Sequence, residues 1–263
     1  MSSAAHHEPS DGCAAKTTCW TRSGLHGRRS PARRSRCRAE ASNAEALRLL
    51  LVTRRSAVDV RREALTQLRA VIVTAPETLR QELRRLSEGR LLERCSRLRR
   101  TTGTADELAT RLVLRSLARR VPAATTEAAE LEQEIRAHVQ SLAPALLDEP
   151  GVGPIVAAQL IIAWSHPGRL RSQACFARLA GVAPIPASSG QTTRHRLSRG
   201  GDRQLNRALH TIVLHRRQHD PATRDYIARR IAEGKSRRDA TRLLKRYLAR
   251  HLYRLLEKQP LMA

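Results

Sequence analysis

Hydrophobic residues recur at helical spacing over most of the chain after residue 44. Between Glu45 and about residue 73 they are separated by steps of three, four and seven with arginines in between, which predicts one long amphipathic helix. The positions in this stripe are Leu47, Leu51, Val58, Leu65, Leu68 and Ile72. We expect a helix of about 40 Å, at 1.5 Å per residue, with the stripe buried.

Start and stop signals predict further helices up to residue 147. Threonine–glutamate pairs three residues apart are typical of the capping box, and here they are Thr74 with Glu77 and Thr104 with Glu107. Gly89 and Pro122 are expected to break helices. The predicted helices cover about 74–86, 91–99, 104–121 and 126–142. Residues 45–147 should therefore form a helical hairpin or coiled-coil region that braces or dimerises the protein.

The pattern of residues 148–258 predicts a compact helical domain. Its last two helices are expected at about 222–232 and 237–256. The final helix should bury Ala240, Leu244, Tyr247, His251 and Leu255. Residues 1–44, by contrast, are rich in arginine and serine and poor in aliphatic residues, so we expect a disordered basic segment there. The predicted fold class is mainly α.

The chain is strongly basic. Its 263 residues carry a formal net charge of +25, which favours an anionic partner. Of the 49 basic residues 45 are arginine, and codon bias can explain that ratio but not the excess over acids. Aromatic residues make up only 2%, so contact with backbone phosphates fits better than base stacking. Nucleic acid is favoured over an anionic membrane surface as the partner. No apolar run approaches the ~20 residues of a membrane span.

The cysteines do not predict a zinc site. They form no C-x-x-C pair, and no histidine stands at zinc-finger spacing from one of them. The five are Cys13, Cys19, Cys37, Cys95 and Cys175. Scattered unpaired thiols suit a reducing compartment, so we expect a cytoplasmic protein without a structural metal.

A glycine turn, Gly151-Val152-Gly153, is the first candidate site. Together with Ala157 it has the spacing of the helix-hairpin-helix motif. Gly151 and Gly153 allow backbone angles closed to other residues, and the amides that start the next helix can face a phosphate. Such a turn grips a DNA backbone without reading its sequence. The alternative is an ordinary corner between two helices.

An arginine cluster is the second candidate site. Gly200 and Gly201 break the chain, and Asp202 is suited to cap the helix that follows. The expected phosphate contacts are Arg194, Arg196, Arg199, Arg203 and Arg207. Asp202 is the only acid between residues 176 and 218, so few carboxylates nearby in the sequence can neutralise these arginines.

The serines of Ser188-Ser189-Gly190 are the third candidate site. A serine before a glycine in a polar loop is ordinarily a turn residue. A hydroxyl needs a base or a metal to attack phosphorus, and the sequence offers only His195 and His210 nearby. Residue chemistry alone therefore favours a turn.

Four motifs stand in fixed order along the second half of the chain. They are Glu149-Pro-Gly-Val-Gly-Pro, Arg178-Leu-Ala-Gly-Val-Ala-Pro, Ser188-Ser-Gly and Leu197-Ser-Arg-Gly-Gly-Asp-Arg-Gln-Leu-Asn-Arg-Ala-Leu. Together they resemble the C-terminal domain of transposases of insertion-sequence family 110, the 116/110/902 group. The resemblance extends from about Glu45 to about Leu256. It implies DNA transposition by site-specific recombination, guided by a structured RNA of the element.

The resemblance also implies a composite active site. A RuvC-like N-terminal domain supplies four acids for Mg²⁺, and a serine of the C-terminal domain attacks the scissile phosphate to form a phosphoserine link. Carried onto this chain, that serine is Ser189, with Ser188 as the alternative. The expected partners are DNA, the guide RNA and further copies of the chain.

The acids of this chain depart from the family pattern. No strand is predicted before Glu45, and no two aspartates stand three apart as in the family's Asp-x-x-Asp pair. Because Mg²⁺ needs oxygen ligands, we expect a truncated transposase that binds no cofactor of its own and cannot cleave alone. The alternative is a non-enzymatic helix-hairpin-helix DNA-binding protein in which Ser189 is a turn residue.

Overall fold

The computed structural model describes residues 31–99, 103–187, 195–196, 198 and 200–258, with side chains from Ser42 onward except that of His195. These residues form ten helices and one two-stranded ribbon. The helices are α1 Pro31–Thr74, α2 Glu77–Leu83, α3 Glu88–Ser96, α4 Ala105–Leu142, α5 Pro144–Leu147, α6 Pro154–Trp164, α7 Gln173–Leu179, α8 Arg203–His219, α9 Pro221–Ala232 and α10 Arg237–Lys258. The strands are β1 Ile185–Pro186 and β2 His195–Arg196. The mainly α prediction is confirmed.

Helix α1 begins at Pro31, earlier than the hydrophobic pattern predicts. The pattern placed the start at Glu45 and assigned residues 31–44 to a disordered segment, which is wrong for this stretch. Proline is well suited to a first helical turn, and the alanine, arginine and glutamate that follow have high helix propensity. Propensity rather than apolar periodicity therefore sets this end of the helix. The prediction for residues 1–30 lies outside the described residues.

The buried face of α1 is slightly rotated from the predicted stripe. Val58 is 39% exposed, whereas Ala57 and Ala64, seven residues apart, are buried. The other buried positions are Ala44, Leu47, Leu65, Leu68 and Ile72. Helix α4 packs along α1 and also buries alanines, at 118, 124 and 128. Small side chains allow two helix axes to approach closely. The predicted stripe contained only large apolar residues, so these alanines were not recognised as core positions.

The two predicted capping boxes have different outcomes. Thr104 accepts a hydrogen bond from the Glu107 amide while the Glu107 carboxylate accepts one from the Thr104 amide, so the second box is confirmed. The first is wrong, because Thr74 is the last residue of α1 and its hydroxyl donates to the Val71 carbonyl. Helix α2 begins instead after Pro76, without a side-chain cap.

Helix α4 continues through Pro122 for 38 residues, although the sequence predicted two helices separated there. A proline inside a helix removes one hydrogen bond and crowds the carbonyl four residues earlier. Residues on both sides of it, Ala118, Val121 and Ala124, are nevertheless buried. Packing of the whole helix against α1 therefore outweighs the local cost.

The apolar side chains form two cores. The larger one surrounds α6, where Ala157, Leu160 and Trp164 are all buried, and it draws on α4, α5, α7, α8 and α10 and on Leu47 of α1. The Trp164 indole donates to a Glu257 carboxylate oxygen over 2.8 Å, which satisfies its N–H. The smaller core joins α1, α2, α3 and the first part of α4. Helices α1 and α4 thus contribute to both.

The last two helices lie where they were predicted, but α10 presents a different face. Its buried positions are Ala240, Leu248, Ala249, Leu252, Tyr253 and Leu256. Of the predicted set, only Ala240 is fully buried, and Tyr247 is 51% exposed. His251 instead reaches sideways to a Glu149 carboxylate oxygen over 2.7 Å. The Tyr253 hydroxyl donates a hydrogen bond to the Leu170 carbonyl. This bond and the contact of His251 with Glu149 together set the rotation of the helix.

Candidate nucleic-acid interface

The glycine turn connects α5 to α6, as a helix-hairpin-helix motif requires. Gly151 has a φ of +81°, and Gly153 precedes Pro154 as the N-terminal cap of α6. A Cβ at Gly151 would lie 3.1–3.2 Å from His215 and from the Ile212 carbonyl of α8, so packing accounts for this glycine. Gly153 is exposed, with open space where a Cβ would stand. The role of Gly151 and Gly153 in DNA binding stays a prediction.

Glu149 fastens this turn to two distant helices. Its carboxylate accepts a hydrogen bond from Arg216 of α8 and contacts His251 of α10, each over 2.7 Å. Arg216 also donates to the Pro150 carbonyl over 2.8 Å. Burial raises the pKa of Glu149, but the hydrogen bonds from His251 and Arg216 outweigh it and hold the pKa below its ordinary value. The turn is therefore a fixed part of the core.

Helix α8 carries two members of the arginine cluster, Arg203 and Arg207. The Asp202 carboxylate accepts hydrogen bonds from the Gln204 and Leu205 amides, which confirms the cap. Leu205, Leu209 and Ile212 are fully buried. Arg203 and Arg207 are exposed, and neither forms an ion pair with an acid of the described ranges.

The start of α8 is held against the end of α7 by two glycines. Gly181, with a φ of +65°, lies against Gly201 so closely that a Cβ on Gly201 would come within 2.5 Å of the Gly181 Cα. The Asp202 amide donates to the Leu179 carbonyl over 2.7 Å, and the Asn206 side chain donates to the Ala180 carbonyl over the same distance. These contacts fix the position from which the arginines project.

The ribbon of β1 and β2 lies beside this junction. It is antiparallel, pairing Ile185 with Arg196 and Pro186 with His195. Sequence analysis did not predict these strands, because two residues per strand are too few to show a pattern. Arg196 is exposed. The connection between the strands contains Ser188, Ser189 and Arg194, which lie outside the described residues, as does Arg199.

A cavity of about 540 Å³ opens between the ribbon, α8 and α10. Among the described residues, five basic side chains and one acid, Asp239, line it. The five are Arg196, Lys235, Arg242, Lys245 and Arg246. Asp239 is already engaged, because Ser236 donates to it over 2.6 Å and Arg242 over 3.0 Å. Hydrogen bonding from Ser236 is the main cause of its lowered pKa. The cavity is therefore strongly cationic.

Comparison with known proteins identifies this part of the chain. Residues 143–228 match the model of the transposase IS116/IS110/IS902 family. They form a transposase-family domain. The match covers all four motifs on which the resemblance rests and the beginning of α9, and it confirms the family expected from the sequence.

Two relatives of the transposase domain come from insertion elements. An insertion element IS110 protein of Streptomyces coelicolor, described as an uncharacterized 43.6 kDa protein, is 34% identical over 158 residues, 59% of this chain and 38% of the relative. An insertion element IS900 uncharacterized 42 kDa protein of Mycobacterium paratuberculosis is 33% identical over 159 residues, 57% of this chain and 39% of the relative. The chain thus spans less than two fifths of either relative.

Sequence analysis missed most of the cationic side chains around the cavity. Arg242, Lys245 and Arg246 belong to α10, beyond the residues of the family match, and Lys235 precedes that helix. One signal could have found two of them: the chain has only four lysines, and Lys235 and Lys245 are half of these.

The two candidate bases, His195 and His210, lie on different elements. His195 is part of β2, and its side chain lies outside the described side chains. His210 is on α8, one turn beyond Asn206. Partial burial and the charges of Lys245 and Arg217 lower the pKa of His210, so its imidazole is predominantly neutral at pH 7.

The residues described for the transposase domain do not fit Mg²⁺. Nowhere in the described ranges do three His, Cys, Asp or Glu side chains group so that they could hold a metal ion. The cavity beside the ribbon is lined by cations and one engaged carboxylate, whereas Mg²⁺ needs several oxygen ligands. None of the helices in the described residues has the length and apolar character that crossing a membrane requires.

Proposed function

We propose that this chain acts in DNA transposition of an insertion element, as the part of the transposase that binds DNA and carries the serine. The family match and the two insertion-element relatives support a transposase. One observation favours DNA as the partner: α8 projects Arg203 and Arg207 into solvent from a fixed junction, and no acid of the described residues forms an ion pair with either. Arginine offers paired donors that match the oxygens of a phosphate.

Salt dependence of DNA binding tests this proposal. The change is Arg203→Ala with Arg207→Ala, and the measurement is fluorescence anisotropy with a short labelled duplex from an end of the element. Each phosphate contact contributes about 0.9 to the slope of log affinity against log salt, so the slope should fall by about 2 in the double variant. Affinity at moderate salt should fall at least ten-fold.

The matched control removes two charges beside the smaller core. Arg84 and Arg85 are exposed at the end of α2, in the smaller core's part of the structure. Arg84→Ala with Arg85→Ala changes net charge equally and should leave the slope within experimental error. Equal losses in both double variants would mean that only net charge attracts the DNA, and wild-type affinity independent of salt would contradict phosphate contact altogether.

We further propose that Ser189, or alternatively Ser188, is the nucleophile. Its hydroxyl oxygen would attack the scissile phosphorus while the bond from phosphorus to a deoxyribose oxygen breaks, and the serine proton would end on that leaving oxygen through base or solvent. The phosphoserine keeps the phosphodiester bond energy, so the reverse reaction can join a new strand. The family resemblance and the connection of these serines to the ribbon beside the cationic cavity support this assignment.

A trapping experiment separates the serines from each other and from the non-enzymatic alternative. Cells in which the element recombines would be lysed in denaturant, and mass spectrometry would locate the nucleotide adduct on the chain. Ser189→Ala should abolish the adduct and recombination, and Ser188→Ala should retain both. Recombination unchanged by either substitution would favour the DNA-binding protein without chemistry.

The remaining expectations from the family are part of the same proposal. Mg²⁺ would be held by acids of a RuvC-like domain rather than by the residues described here. The guide RNA and other copies of the chain would be partners, the copies through the region at 45–147, and the complex would work on the nucleoid in the bacterial cytoplasm. Light scattering gives the molar mass of the purified chain with and without the RNA, and so measures both its association with other copies and its binding of the RNA.

A further inference from the structure

The cavity beside β2 is an unusual place for a lysine. Lys245 is half-buried, and its ammonium donates to the Asn206 side-chain oxygen over 3.0 Å. Asn206 is held in turn by its bond to the Ala180 carbonyl. An ammonium has three donors, and this bond to a neutral amide uses one of them. In the described part of the chain, no carboxylate forms an ion pair with Lys245.

The surroundings of Lys245 disfavour its charge. Burial and the neighbouring Arg242 both lower its pKa below the ordinary value. Its neighbour Arg246 also lines the cavity, and Arg196 and Lys235 add charge at its edge. Elsewhere in the structure arginines form ion pairs with acids, as Arg54 does with Glu132 over 2.6 Å. In the cavity only Arg242 is met in this way among the described residues, by Asp239 over 3.0 Å. Cations that lack such compensation destabilise the free protein, which is typical of a site kept for a ligand.

Shape and location point to a nucleic-acid strand. A volume of about 540 Å³ lies within the range of roughly 300–1,000 Å³ that ligand sites occupy, larger than a lone phosphate requires. Val182, Pro184 and Leu243 give the cavity an apolar wall that suits a sugar. Arg203 stands three residues before Asn206 on α8, close to one helical turn away, so the exposed arginine face leads to the cavity.

We propose that this cavity binds one backbone phosphate of the DNA strand that crosses α8, with Lys245 and Arg246 as its cationic ligands and Asn206 positioning Lys245. The inference rests on the proposed DNA-binding function and adds a specific subsite to it. The strand enters along Arg203, and one nucleotide sits in the cavity with its sugar against Leu243. The subsite thus holds the strand in register beside the ribbon.

The test compares Lys245→Met with Lys258→Met in the full chain. Both remove one lysine charge from α10, but Lys258 is its exposed last residue. With the labelled duplex and its single strands, Lys245→Met should weaken binding about ten-fold and reduce the salt slope by about 1, whereas Lys258→Met should change neither. Melting of Lys245→Met should occur at the wild-type temperature or above, which a merely structural lysine would not allow.

The outcomes distinguish the two proposals. If wild-type protein does not bind DNA, the proposed function fails; if it binds and Lys245→Met behaves like Lys258→Met, only the subsite fails. In a further measurement, millimolar inorganic phosphate or thymidine monophosphate is added to both proteins. If it raises the melting temperature of the wild type but not that of Lys245→Met, the cavity binds a small free anion, and the proposal that it binds a DNA strand is wrong. Should Lys245→Met not fold, Arg246→Gln replaces it with the same expected and contrary results.

Discussion

The contact between Gly181 and Gly201 gives the sharpest prediction of the structure. In Gly201→Ala, the new Cβ would lie 2.5 Å from the Gly181 Cα and 2.9 Å from the Leu179 carbonyl oxygen. Both neighbours are backbone atoms, so no side chain can rotate away. Ordinary contact begins near 3.4 Å, and the start of α8 would therefore have to move roughly 1 Å from the end of α7.

That movement should destabilise the protein measurably. Overpacking of a well-packed site typically costs about 1–3 kcal/mol, and the bonds from the Asp202 amide and the Asn206 side chain would be strained at the same time. For a chain of this size, 1 kcal/mol corresponds to roughly 2–4 °C in melting temperature, so Gly201→Ala should melt about 3–9 °C lower. DNA binding should weaken as well, because α8 and the cavity lose their common anchor.

The neighbouring glycine is a matched control. A Cβ at Gly200 would meet open space, so Gly200→Ala should change the free energy of unfolding by less than about 0.5 kcal/mol. Both variants are measured by thermal and urea unfolding with circular dichroism. Equal melting temperatures for Gly200→Ala and Gly201→Ala would refute the close packing of α7 against α8.

Three further predictions concern other parts of the molecule. Pro122→Ala should stabilise the chain by about 1–3 kcal/mol in urea unfolding, because alanine restores the missing hydrogen bond of α4; no gain would mean that the helix does not continue there. Glu149→Gln should lower the free energy of unfolding by about 1–3 kcal/mol at pH 7, because the variant loses the charged hydrogen bonds to Arg216 and His251. Since the folded pKa of Glu149 lies below the ordinary 4.5, this stabilisation is present above that pH and is lost as the pH falls through the folded pKa, so wild type and variant should converge in acid. Burial raises the pKa of Cys95 to about 11, so mass spectrometry should find it unalkylated by iodoacetamide at pH 8 until urea unfolds the chain.

Local signals in the sequence were reliable where the backbone decides the outcome. Asp202 caps α8 and Thr104 caps α4 as predicted, because each cap involves only the first turn of its own helix. Thr74 has the same motif as Thr104, but α1 continues past the predicted boundary while Ile72 and Ala75 are buried in the smaller core. Pro122 was misjudged for the same reason: tertiary packing outweighed a local rule.

The cationic cavity could not be predicted from local patterns. Its lining residues come from the turn after α7, from β2, from α8 and from α10, which are up to about sixty residues apart. The cluster from Arg194 to Arg207 was recognised because its members are close in the sequence. Of its three described members, Arg196 lines the cavity, whereas Arg203 and Arg207 do not. Lys245 was not recognised, since nothing near it in the sequence shows that Asn206 reaches its ammonium.

The sharing of α1 and α4 between the two cores has a practical consequence. Leu47, Ile135 and Val139 are buried against the helices of the family domain, so a fragment starting at residue 148 would uncover the surface they occupy. Such a fragment should aggregate. A chimera that takes α1–α4 from a relative would need matching residues on both sides of the contact between these helices and the larger core.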